Sequence, residues 1–122
     1  MSPPPARGRG EVTSGSVYRR IPSYYVGRSG QINYKTFRPG QDDRGGLSVD
    51  LNLATAVENL KAENARAAPR RFLLAELDVA RIRAETVAWV AASEVSHTRI
   101  ENCTDLITQQ GLADIAGIVP AQ

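Results

Sequence analysis

The 122-residue sequence predicts an α+β domain built on a small mixed or antiparallel sheet with two main helices. Three observations lead there. "GSVYRRI" (15–21) alternates, so Val17, Arg19 and Ile21 share one face and Tyr18 and Arg20 the other. "RRFLLAELDV" (70–79) is almost continuously apolar through Phe72, Leu73, Leu74, Ala75 and Leu77, as a central strand would be. Between them Leu53, Ala56/Val57 and Leu60 recur every three to four residues, which is helical spacing. The gap from that helix to the next strand is too short for a doubly wound domain, and no glycine-rich nucleotide fingerprint follows any strand.

Taken in order, residues 1–14 read as a flexible basic tail and residues 15–122 as a single domain. Proline, glycine and arginine in the tail offer no apolar area to offset ordering entropy. Pro22 ends the first strand. Residues 23–37 carry a turn at Gly27–Gly30 between aromatic pieces, either a hairpin or a loop with a strand at Gln31–Tyr34. "RPGQDDRGG" is a loop with turn dipeptides at both ends. "LSV" forms a short strand, and Asp50 or Asn52 caps the 53–67 helix, with Lys61, Glu63, Asn64 and Arg66 turned to solvent. Pro69 stops that helix. Asp78 caps one short turn, "VARIRA", and "TVAWVAA" follows as a strand whose alanines leave a helix open. In "SHTRIEN", His97, Arg99 and Glu101 face one way, Thr98 and Ile100 the other. Thr104 caps a last helix, within which Gly111 marks a break, and Gly117 is its C-cap.

Charge is uneven. Residues 1–44 hold eight Arg or Lys against three acids, a net +5, and residues 45–122 hold seven against ten, a net −3. A basic front half suits an anionic ligand. Nucleic acid ranks behind that, because no recognised binding motif accompanies the charge. One cysteine, Cys103, and one histidine, His97, fall short of a structural metal set, so no metal is expected. No apolar run has signal-peptide or membrane-spanning length, which makes the cytoplasm the expected compartment.

Four residues stand out as a candidate site. Arg19 shares its strand face with apolar neighbours, so it either snorkels at the core edge or points into a cleft, where a guanidinium clamps phosphate or carboxylate in two places. Ser48 sits in a three-residue strand between a glycine-rich loop and a helix start, placed to bond a ribose hydroxyl or carboxamide. No elbow motif surrounds it, so it is not an activated nucleophile. His97 is the one residue whose type has an unperturbed pKa near neutrality, and Glu101 shares its face.

"VYRRI", "FRPGQDDRGGLSVDL" and "SHTRIENCTDLITQQGLADIAGIV" together resemble a widespread group of small uncharacterised bacterial proteins. These show an Arg-Ile strand, Phe-x-Pro, an Asp-x-Gly-Leu-Ser-Val stretch and a late histidine. The extra glycine before Leu47 departs from that pattern. The resemblance covers most of residues 17–119 and implies a genuine domain without assigning it an activity. "SVYRRI" and "GLSVDLNLATAVENL" also look like the two opening blocks of ADP-ribosyltransferase-like domains, an arginine-bearing strand and a serine strand leading into a helix. That likeness implies NAD as cofactor, with Arg19 and Ser48 binding it and His97 and Glu101 in the catalytic set. The sequence departs in lacking Thr-Ser after Ser48 and any late Glu-x-Glu or Gln-x-Glu.

Two classes fit these residues. One is a domain binding an anionic, NAD- or ADP-ribose-like ligand, with or without transfer or hydrolysis at a glycosidic bond. The other is a non-enzymatic interaction or immunity-like accessory protein that meets a partner protein. Geometry separates them: a ligand site needs Arg19, Ser48 and His97 or Glu101 around one place.

Overall fold

The computed structural model describes residues 10–40, 46–92 and 98–120. Four strands form one antiparallel sheet in the order β1 (Glu11–Val12), β5 (Trp89–Ala92), β6 (Thr98–Glu101) and β3 (Leu47–Val49). Three form a second, β2 (Ser16–Pro22), β4 (Phe72–Asp78) and β7 (Gly117–Ile118). Among the described residues three α-helices accompany them: α1 (Leu53–Ala67), α2 (Val79–Glu85) and α3 (Leu106–Ile115). The chain is thus α+β, with two sheets and three helices where the sequence suggested one sheet and two. The additional helix grows from Asp78, whose carboxylate accepts from the amides of Ala80 (2.9 Å) and Arg81 (3.3 Å). Val79 and Ile82 bury themselves beneath it, so the single expected turn propagates.

Val17 and Ile21 of β2 are fully buried, as the alternation requires. β4 is the central strand of its sheet, and alternation along it serves two layers. Ala75 and Leu77 enter the main core with Val17, Leu47, Val90 and Ile100, while Leu74 takes the opposite face, the one α1 covers together with Ala56. The two sheets meet at one corner: Tyr18 and Asp50 exchange backbone bonds of 2.8 and 2.9 Å. Asp50 is thereby engaged in pairing, and Asn52 caps α1 by accepting from the Thr55 amide at 3.1 Å.

Glu63 and Asn64 do not face solvent as their polarity suggests. Both are half-buried against the sheet. Phe72 lies opposite Pro22, and the neighbouring bond from the Ser23 amide to the Arg71 carbonyl leaves Phe72's own backbone groups turned away from β2. The Asn64 carboxamide meets both, accepting from the Phe72 amide at 2.7 Å and donating to its carbonyl at 3.2 Å. Glu63 accepts from Arg66 at 2.5 Å and lies 3.6 Å from Arg20, which therefore looks outward to α1.

The fold begins earlier than composition suggests. Glu11 and Val12, inside the stretch read as tail, pair with Ala91 and Val90, and Arg83 bonds the Glu11 carboxylate. A two-residue strand is too short to show periodicity, which is why it escaped notice. The first nine residues lie outside the described residues, as do 41–45. In residues 23–37, two 3-10 helices (Ser23–Tyr25 and Tyr34–Phe37) flank the turn, and the strand at Gln31–Tyr34, one of the two alternatives, does not form. The turn between them closes with the Val26–Ile32 bridge, and Asn33 caps the second by accepting from the Lys35 amide at 2.9 Å.

α3 starts one residue later than Thr104 would place it. Asp105 is the cap, accepting from the Thr108 amide at 3.0 Å and the Thr108 hydroxyl at 2.6 Å. Gly111 does not interrupt the helix: a Cβ there would stand 3.0 Å from Thr86 Cγ2, so the small residue admits the end of α2. Gly117 opens β7, and the C-cap is Ala116. Cys103 is fully buried and packs as core. No described helix is long and apolar enough to cross a membrane.

The hydrogen bonds from Thr108 hold the Asp105 carboxyl below its ordinary range. A depressed carboxyl contributes stability that is present above its unfolded pKa and lost as pH falls through the folded one. Asp105→Ala is therefore expected to cost about 0.5–2 kcal/mol at neutral pH. The gap to wild type should shrink once pH drops below about 4. Urea midpoints for both proteins at the two pH values check this, and an unchanged gap in acid would contradict it.

Candidate functional site

The corner where β2, β3 and β6 meet gathers most of the singled-out residues. β3 and β6 pair so that Leu47 faces Ile100 and Ser48 faces Arg99. Leu47 and Ile100 are fully buried, so the pleat turns Ser48, Arg99 and Glu101 to the opposite side. Ser48 is exposed there. Arg99 and Glu101 keep 31% and 29% of their side chains accessible, enough to meet a ligand while leaning on the sheet.

Arg19 reaches the same corner from the inner face of β2. Asp50 directs its amide and carbonyl toward Tyr18, so Ser48, two residues earlier, directs its own carbonyl to that side as well. Among the described residues the β2–β3 pairing is limited to the Tyr18–Asp50 bridge, and Arg19 Nη1 donates to the Ser48 carbonyl at 2.9 Å. Its Nε donates to the Thr36 carbonyl at 2.8 Å, tying in the second 3-10 helix. The apolar flanks of Arg19 signalled an unusual arginine. What they could not show was that two backbone carbonyls are among its partners.

Gly46, just before β3, makes the closest backbone approach of the corner. A Cβ on it would stand 2.5 Å from Glu101 Oε1 and 2.7 Å from Arg99 Nε and Nη2. The position therefore admits glycine alone without displacing the pair. Arg99 Nε and Glu101 Oε2 are 4.0 Å apart, and Nε is shielded from solvent without a hydrogen-bond partner. Arg99 is thus a guanidinium with unspent donor capacity beside a carboxylate. Ser48 lies directly across the β3–β6 pair from Arg99, so an exposed hydroxyl and this loose charge pair share one face. Sequence reasoning placed Arg99 only as a neighbour of His97, and Gly46 only as a turn residue.

His97 lies outside the described residues. The corner therefore sets Arg19 against the Ser48 backbone, with Arg99 and Glu101 across the β3–β6 pair and beside Gly46. Among the described residues no cluster of His, Cys, Asp or Glu side chains is placed to hold a metal ion. No protein-family model, curated protein or solved structure matches the chain.

Proposed function

We propose that the corner of β2, β3 and β6 binds an anionic ligand of the NAD or ADP-ribose type. The observation that carries the reading is the bond from Arg19 Nη1 to the Ser48 carbonyl, which brings together two residues 29 positions apart in sequence. Across the β3–β6 pair stand Arg99 and Glu101. Arg19 frames the site and adds positive potential. The accessible part of the Arg99 guanidinium takes the phosphate charge, and the exposed Ser48 hydroxyl meets ribose. The chemistry such a set fits is glycosidic-bond transfer or hydrolysis. The Glu101 carboxylate faces positive charge developing on the ribose as the nicotinamide leaves with the bonding pair, and water or an acceptor hydroxyl supplies the new bond.

Calorimetric titration of ADP-ribose, NAD and inorganic pyrophosphate into the full chain tests this. Arg99→Ala is expected to weaken ADP-ribose by about tenfold or more. Gly46→Ala should do likewise, since its methyl group displaces the Arg99–Glu101 pair. If none of the three ligands binds wild type, the reading fails. The partner-protein reading would then lead, favoured by Leu106 and Ile107, which stand 59% and 84% exposed at the start of α3.

A further inference from the structure

Away from that corner, the turn between the two 3-10 helices builds two adjoining cavities. The larger, about 520 Å³, lies between residues 29–32 and α3, where Gln31, Gln110 and Asp114 line it over Ile32 and Ala113. The smaller, about 330 Å³, is cupped by Tyr24, Tyr25 and Asn33. Gln31 and Ile32 belong to both, so the two cavities adjoin along this stretch.

Tyr24 is 70% exposed, a large surface for an aromatic ring to leave in water. Its centroid sits 4.7 Å from that of Tyr25, with the planes tilted by 54°. The contact steadies the ring and presents a flat apolar surface at one end of the groove. The other end is polar. Gln110 Nε2 donates to Asp114 Oδ1 at 2.9 Å, fixing both side chains. Asp114 Oδ2 and Gln110 Oε1 make no hydrogen bond among the described residues, so both stand as oriented acceptors. A ligand for this end must bring donors. Among the described residues no lysine or arginine lines either cavity, and the one charge is negative, so an anion is disfavoured.

An apolar face set beside hydrogen-bonding edges, without net negative charge, describes a pyranose ring. We infer that this groove is a second binding site, for a neutral carbohydrate. The sugar's C–H face lies on Tyr24, and its hydroxyls donate to Asp114 and Gln110 while the Gln31 amide bonds a further hydroxyl. The site is separate from the β2–β3–β6 corner and does not depend on what binds there.

Amide-detected NMR titration of the full chain with cellotriose, maltotriose and chitotriose tests the inference, with a sulfated trisaccharide as the anionic comparison. At least one neutral sugar is expected to shift the Gly27, Gly30 and Gln31 amides and the Gln110 side chain at millimolar concentration. Tyr24→Ala should weaken that sugar by about tenfold, and Gln110→Ala should also weaken it. Both residues are exposed, so neither change should alter the thermal midpoint. The inference is overturned if no neutral sugar shifts these resonances, if the sulfated sugar binds better, or if Tyr24→Ala binds as tightly as wild type.

Discussion

Replacing Phe37 by alanine is expected to remove about 3–5 kcal/mol of stability. Phe37 ends the second 3-10 helix and is among the largest fully buried side chains. α3 packs on that segment, with Leu112 and Ala113 buried on its inner side. The backbone under Phe37 is held by the Asn33 cap and by Arg19, so the site cannot collapse to fill the void. Against a total of about 5–15 kcal/mol for a domain, the loss is a large fraction. Urea unfolding followed through Trp89 measures it, and Phe37→Leu should lose much less. A loss below about 1 kcal/mol for the alanine variant would mean that the ring carries little of the core.

Arg19→Ala is expected to cost about 1.5–3 kcal/mol, the value of hydrogen bonds made by a charged donor. The change strands the Thr36 and Ser48 carbonyls, the first of them in a partly buried setting. Lysine should recover little, because one ammonium on a flexible stem cannot reproduce a planar fork that reaches two carbonyls. Arg20→Ala is the contrast: its partner Glu63 is 3.6 Å away and Arg20 is exposed, so a change of at most about 1 kcal/mol is expected. Chemical-denaturation midpoints for the three variants decide the matter, and equal losses for Arg19→Ala and Arg20→Ala would contradict the assigned roles.

What the sequence made legible follows from how local each cause is. α1 and β4 stand where apolar spacing put them, because burial on one or both faces is written into consecutive residues. The alternation around Arg19 correctly turned it inward, and that around Thr98 and Ile100 correctly left Arg99 and Glu101 on the other side. Distant causes were hidden. β1 and β7 have two residues each and exist because β5 and β4 offer ladders to join. Asn64 looked like a surface residue because the amide and carbonyl it serves belong to Phe72, on another element. Gly46 looked like punctuation, since the side chains that a Cβ there would push aside arrive from β6. Phe37 carried the marks of a loop motif, and its burial depends on α3 lying over it.

The Arg19 guanidinium occupies the Ser48 carbonyl on the side of β3 away from β6, where β3 is the last strand of its sheet. Strand edges with open carbonyls and amides recruit further strands from neighbouring molecules, and proteins protect them with charge, bulges or covering segments. Here the Arg19 side chain contributes to that protection, next to the alternating "LSV" stretch. Loss of Arg19 would therefore do more than lower a melting point. It would open a docking template on the native protein, so that self-association, rather than unfolding, could become the first visible symptom of substitution at this position.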